Sequence, residues 1–375
     1  MLASIEGLVG IESPSDDKAA VDRAVGALAV LGQDLGFRVE RLPVGTAGDH
    51  LRLTIGPLRT AARRRVLLLG HTDTVWPIGT LAAMPCARRD GMLTGPGVYD
   101  MKAGLVIGLQ AMRLWGAQSG AESDTAVTLL ATSDEEVGSP TSRALIEADA
   151  AAADAVLVLE PALEQTAPPM GGVKIGRKGV GEFRLEVTGV PSHAGLEPEK
   201  GASAIQELAR QLLAIQDLAR PDLGTTLNAG VIGGGTRGNV VAEHAWAAID
   251  VRVTAMEEAT RIEQALTQLV PADPRVRLRV SGRLNRPPLE PSPAGQRLYD
   301  RAAEIAHALG HPLPSGRVGG ASDGNFTAAL GIPTIDGLGA VGGGAHARHE
   351  HVRIDSLALR AALVAGLILR LSRSD

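Results

Sequence analysis

Imidazole and carboxylate side chains recur in this sequence directly after apolar runs, a placement suited to binding a cation and moving protons. The run VLLLGHTDTV sets His71 and Asp73 just beyond a stretch of strand character. Alternation along a strand puts residues i and i+2 on the same side, so both can face one site. LTGPGVYDMKAG places Asp100 in a Gly/Pro loop ahead of a helix. TLLATSDEEVGSP places Glu135 and Glu136 after another strand, and AVLVLEPA places Glu160 at the end of a further one. Ligands of open α/β sheets bind outside the carboxyl ends of the strands. These segments therefore deliver one histidine and five acids to one sheet edge, and GGGAHARHEH adds His346, His349 and His351.

Each group has an ordinary explanation when taken alone. Asp100 could cap the helix beginning near Met101, Glu135 and Glu136 could be first-turn acids favouring a helix dipole, and the histidines at 346–351 could be a solvated loop. The combination is harder to explain in that way. Adjacent acids after a strand crowd like charge, which costs stability unless a cation neutralises them. Imidazole plus carboxylate without thiolate suits zinc, manganese or cobalt. Five or six such groups exceed one tetrahedral site and fit two metals about 3.5–4 Å apart. A neighbouring carboxylate that is not a ligand can then act as general base.

The elements that must position these groups are legible in outline. Residues 17–36 show helical apolar spacing (Val21, Val25, Leu28, Leu31, Leu35), with Asp16 or Asp17 as N-cap and Gly36 as stop. Strands are expected at 50–55, 65–70, 125–132 and 154–160, with helices at 102–118 and 139–149. That alternation predicts an α/β domain on a largely parallel sheet buried on both faces. From about 177 the pattern changes to β-α-β-β-α-β: strands at 180–188, 225–232, 243–253 and 275–281, and helices at 201–217 and 257–269. This is the ferredoxin-like α+β unit. Helices and short strands resume at 293–309, 322–330, 332–336 and 355–372. The expected organisation is a discontinuous main domain, 1–176 and 286–375, with an inserted domain at 177–285.

Composition excludes several classes of function. Of the 375 residues, 45% are hydrophobic and 21% charged, as in ordinary globular chains, so wholesale disorder is excluded. A net charge of -5 argues against affinity built on phosphate neutralisation, and 2% aromatics against base-stacking platforms. The single Cys86 excludes a disulfide framework or a Cys-rich zinc module. MLASIEGLVGIESPSDDK lacks a basic n-region, and no run of about 18 apolar residues occurs, so the expected location is cytoplasmic.

These segments resemble the M20 family of zinc aminoacylases and carboxypeptidases, and look most like its glutamate carboxypeptidase branch. The matching segments are GHTDTV, GPGVYDMKAG, TSDEEVGS, LEPA, RKGVGEF with VTGVPSHAG, RGNVVAEHA with DVRV, GGASDGNF and GAHARHEHV, in the family's order over residues 65–352. The resemblance implies a zinc-peptidase-like domain with an inserted dimerisation domain, and two zinc ions bound by His71, Asp100, Glu136, Glu160 and His346. It makes Asp100 the bridging ligand, with a cis peptide after it, Glu135 the catalytic base and Asp73 the group that orients His71. His346 is preferred to His349 because a Glu, here Glu350, stands four residues after it. In SHAG, His193 resembles a histidine that crosses a homodimer interface to polarise the scissile carbonyl. Asn239 and Arg252 resemble groups that hold a substrate carboxylate, and Lys178 is a weaker candidate for the same task. From spacing alone Arg252 is equally an outward residue of an alternating strand. The glycines of GGASDGNF and GAVGGGAH allow close backbone approach to a ligand, as would a merely flexible loop. Gly320 and Ser322 of the first are counted among the substrate-binding groups.

The activity implied is hydrolysis of an amide bond to an amino acid with a free carboxylate. The alternatives are a deacylase of acetylornithine or succinyl-diaminopimelate type, and a zinc-free homologue that binds such ligands without cleaving them. A serine hydrolase is excluded because no G-x-S-x-G elbow appears.

Overall fold

The computed structural model describes residues 1–58, 61–119, 123–163 and 168–373. The chain forms two compact units, Met1–Gly176 with Glu290–Val318 and Ser322–Asp375, and Arg177–Leu289 with Gly319–Ala321.

The first unit is built on a six-stranded sheet in the order Arg38–Leu42, His50–Ile55, Thr125–Thr132, Arg64–His71, Ala155–Val158, Thr334–Ile335. The last four strands run parallel. His50–Ile55 pairs antiparallel with both its neighbours, so this one strand runs against the others in an otherwise parallel sheet. The reason lies in the sequence RVERL, which makes a mostly exposed edge strand that hairpins onto 50–55. Its charges guard that edge against further pairing. The central strands are apolar because both faces are covered. Every residue of Thr125–Thr132 and Ala155–Val158 is buried, as are the last six of Arg64–His71. Such strands leave polar chemistry only at their ends.

Helix Lys18–Asp34 starts where Asp17 accepts a 2.9 Å hydrogen bond from the Ala20 amide, and the chain turns off at Gly36 with φ +78°. The helix expected at 139–149 begins only at Arg143. Its early part is taken by a turn in which the Asp134 carboxylate accepts from the Thr141 and Ser142 amides at 2.6 and 3.2 Å. An aspartate bonded forward to the backbone competes with helix formation in this way. Helix Ala103–Ser119 is buried over most of its length and packs on Leu357–Ser372. A Cβ at Gly104 would collide with the Leu159 carbonyl oxygen. That glycine lets the helix that follows Asp100 close onto the strand end that carries Glu160.

The second unit has a four-stranded antiparallel sheet in the order Thr226–Gly234, His244–Val253, Gly179–Thr188, Arg277–Arg286. Two helices, Ala204–Gln216 and Met256–Thr267, complete a β-α-β-β-α-β chain order. Burial alternates along its two central strands, placing Phe183, Leu185, Val187, Ala247, Ile249 and Val251 in a separate core. Among the described residues no helix is long and apolar enough to cross a membrane.

Candidate metal centre

The first unit gathers the expected ligand residues at one edge of its sheet. His71 ends its strand almost completely buried. Its Nε2 lies 3.2 Å from Asp100 Oδ1 and 3.6 Å from Glu160 Oε1. Its Nδ1 lies 3.0 Å from the Asp73 carbonyl oxygen and 3.4 Å from Asp73 Oδ1. A carbonyl oxygen only accepts, so the neutral ring carries its proton on Nδ1 and presents Nε2 to a cation. The Asp73 carboxylate has a second task. It accepts from Ser15 Oγ at 2.7 Å and from the amides of Glu135 and Glu136 at 3.3 and 3.1 Å. One buried acid thus fixes both the imidazole and the backbone that carries the two glutamates.

Asp100 stands between the two histidines. Its Oδ1 faces His71, and its Oδ2 is 3.4 Å from His346 Nε2. His346 Nε2 is also 3.2 Å from Glu136 Oε2. It is His346, not His349, that meets these acids, and it does so from a left-handed backbone at φ +59°. That conformation is uncommon outside glycine and costs energy where it occurs, as it often does at functional sites. The Asp100–Met101 peptide is cis. Ligand atoms of His71, Asp100 and Glu136 all lie within 4.8 Å of one another.

The electrostatics of this cluster call for a cation. Burial works to lower His71, but Asp100, Asp73 and Glu160 outweigh it and hold the imidazole well above its ordinary value. Hydrogen bonds to Asp100 and Glu136 push His346 up to about 10. Burial would raise Asp100, yet His346 and His71 hold it far below the usual carboxylate range. Glu136 is raised, chiefly by burial. Its Oε1 is buried with no hydrogen-bond partner. A buried carboxylate oxygen without a donor is costly, and a divalent ion would satisfy it. The donor set, two imidazoles and three carboxylates, therefore fits a metal such as zinc, manganese or cobalt.

Sequence reasoning missed Glu350 as a functional group and used it only to set the register of His346. It is completely buried. Its Oε1 accepts from the amides of Tyr99 and Asp100 at 2.8 and 3.0 Å. Its Oε2 accepts from the Gly97 amide at 2.9 Å and Trp76 Nε1 at 2.8 Å. Burial raises its carboxyl above the ordinary value although all four donors favour the ionised form. Lys102 was also missed. Its buried ammonium donates to the Ile11 carbonyl at 2.6 Å and is lowered to about 8, by burial.

The expected substrate-binding groups fare unevenly. Ser322 is fully buried in the first unit, where its hydroxyl donates to Asp336 Oδ2 at 2.6 Å. It shapes its loop and offers no free hydroxyl to a ligand. The others lie in the second unit. His193 is exposed, with Nδ1 accepting from the Gly195 and Leu196 amides at 3.1 Å each. The Asn239 carbonyl accepts from the Ala194 amide at 3.0 Å, so Asn239 and His193 are neighbours. The guanidinium of Arg252 is engaged by Asp250, two residues back on the same strand face, with Nη2 to Oδ2 at 2.8 Å. Lys178 is half-buried at the start of this unit, and Gly320 is exposed, its carbonyl accepting from Arg177 Nη1 at 3.1 Å.

Comparison with known proteins fits this geometry. The model of peptidase family M20/M25/M40 matches residues 67–370. Carboxypeptidase G2 of Pseudomonas sp. is 29% identical, over 99% of this chain and 89% of that protein. Succinyl-diaminopimelate desuccinylase of Xanthomonas oryzae pv. oryzae is 32% identical over 90% of each. Among solved structures, aminopeptidase PepT of Bacillus cereus shares the fold with a TM-score of 0.78 at 23% identity, covering 99% of this chain and 98% of that one. The M20 metallo-carboxypeptidase Sso-CP2 of Sulfolobus solfataricus does so with a TM-score of 0.74 at 17% identity, covering 99% and 98%.

Proposed function

We propose that this chain, which belongs to peptidase family M20/M25/M40 and is a metal-dependent hydrolase, cleaves the amide bond of a peptide or N-acyl amino acid with a free C-terminal carboxylate, as a glutamate carboxypeptidase does. One observation carries the proposal: Asp100 presents one oxygen to His71 and the other to His346, with Glu160 and Glu136 beside those histidines. His71, Asp100 and Glu160 would hold one ion, and His346, Asp100 and Glu136 a second, both zinc, with cobalt or manganese able to substitute. When bound, such a pair makes water nucleophilic near neutral pH and polarises the scissile carbonyl. Glu135 accepts the proton of the attacking water and passes it to the departing amine nitrogen. Asp73 keeps the His71 tautomer fixed. Asn239, Arg252 and Lys178 hold the substrate carboxylate, which requires Arg252 to exchange Asp250 for substrate, and the Gly320 backbone borders the ligand.

Likeness to a succinyl-diaminopimelate desuccinylase favours a second activity, N-deacylation. A hydrolysis screen of dipeptides and N-acyl amino acids with zinc, cobalt or manganese separates the two. The carboxypeptidase activity predicts turnover of substrates ending in Glu or Asp above those ending in neutral residues. Turnover confined to N-succinyl or N-acetyl diamino acids would replace it with the deacylase. Metal-loaded protein that binds such compounds and cleaves none would make the chain a binding homologue.

The proposal includes a cytoplasmic homodimer in which His193 serves the partner's site. Support comes from the second unit, whose edge strand Thr226–Gly234 exposes Val231 and Ile232 at 55% and 61%. An exposed apolar edge strand is a site for pairing with a second copy. Mixing inactive His193→Ala with inactive Glu135→Gln protein should restore activity. Random exchange gives mixed dimers with one intact and one doubly damaged site, about a quarter of all sites being intact. No recovery after verified subunit exchange would place His193 in its own chain's site or in none.

A further inference from the structure

We propose that Glu350 is a positioning residue that locks the Asp100 loop to the His346 loop and so sets the affinity of the second metal position. The inference rests on the ligand assignment above. Each oxygen of this buried carboxylate accepts from two donors, Tyr99 N and Asp100 N on one side, Gly97 N and Trp76 Nε1 on the other. Three of the four donors are backbone amides of the turn that ends at Asp100. The fourth comes from Trp76, just beyond His71 and Asp73. An ionised carboxylate has about four acceptor sites, and here all four are used.

The other end of the lock is His346. Between it and Glu350 the chain is wound into successive turns, Ala347 N to Gly344 O and Glu350 N to Ala347 O, both 2.9 Å. Gly344 sits at φ +79°, where a Cβ would come 3.0 Å from the Glu350 amide, so the winding depends on that glycine. His346 is thus fixed relative to Glu350, and Glu350 relative to Asp100. Both His346 and Asp100 belong to the second ion's ligand set. The first ion retains His71 and Glu160, which do not hang on this carboxylate. Loosening the lock should therefore weaken one metal more than the other, a selectivity that a merely structural acid would not show.

Glu350→Gln tests this with the size of the side chain unchanged. An amide nitrogen cannot accept, so in either orientation two of the four donors lose their acceptor. Metal binding is read by competition with a chromophoric chelator and by the visible spectrum of cobalt(II), and the fold by the melting temperature of the stripped proteins. Loss of a group that orients ligands typically weakens metal binding about 10–100-fold. The expected result is that loss in one of the two binding steps, a smaller change in the other, and an altered cobalt spectrum. Equal binding of both ions by Glu350→Gln and unaltered protein would overturn the role of Glu350, as would equal weakening of both steps. If Glu350→Gln does not fold, Trp76→Phe removes one donor and should weaken one step by a smaller factor; both steps unchanged there would overturn it too. Failure of the unaltered protein to take up two ions would instead overturn the ligand assignment, and this inference with it.

Discussion

Glu135→Gln should abolish nearly all turnover while the protein keeps its fold and its metals. The side chain is buried and follows directly on the strand that carries the SDEE turn. Its backbone is pinned by the Asp73 carboxylate, so an isosteric amide will sit where the carboxylate sat. The only property removed is the ability to accept a proton. Loss of a positioned general base costs about 10²–10⁴-fold in rate, and the loss should appear in kcat with KM little changed. Metal content should stay the same because the imidazole of His346 contacts Glu136, the next residue, at 3.2 Å. Glu136→Gln should show the reverse, with metal lost first and activity lost as a consequence. Full activity in Glu135→Gln would make it a structural acid. Loss of metal from Glu135→Gln, with metal retained by Glu136→Gln, would exchange the two roles.

The contrast between these neighbours shows what a sequence displays and what it hides. The strands 50–55 and 125–132 stand in the structure at the positions expected, because apolar runs bounded by turn residues leave few alternatives. The acids that follow such strands are conspicuous, since a buried parallel strand has nowhere else to place charge. The edge strand Arg38–Leu42 is not legible in the sequence, because an exposed, charged strand carries little periodic signal. The helix after Asp134 begins four residues later than its apolar spacing predicts, because the Asp134 side chain diverts the backbone into a turn. The i and i+2 spacing of Asp250 and Arg252 on one strand does place them on the same face, so their pairing could have been anticipated. Glu350 could not. Its donors lie some 250 residues away along the chain, and no local pattern reports a hydrogen bond of that span.

Stripping the metals should abolish activity and lower the melting temperature, and the stability gained on reloading should grow with pH. His71, Asp100, Glu136, Glu160 and His346 converge within a few ångströms, with one Glu136 oxygen left unsatisfied. A cation that binds only the folded chain stabilises it by about 4 kcal/mol at 1,000 times its dissociation constant. For 375 residues 1 kcal/mol shifts the midpoint by only about 1 °C, so a gain on the order of 5 °C for each ion is expected. The pH dependence follows from the histidines. In the stripped protein His71 lies well above its ordinary value and His346 at about 10, because both pair with carboxylates. A histidine raised on folding contributes stability that is fully present below its unfolded value near 6.5. That contribution is lost as pH rises through the folded value, so the stripped protein should weaken from about pH 7 toward pH 10. Metal binding requires both rings to be neutral and expels their protons, so apparent affinity rises by up to about tenfold per pH unit for each proton expelled. The gap between loaded and stripped protein is set by that apparent affinity, so it widens as pH rises. Melting curves at pH 6, 7.5 and 9, with zinc and with chelator, measure that gap. A gap that narrows with pH, or stays constant, would mean that these histidines are not the groups the metals displace protons from.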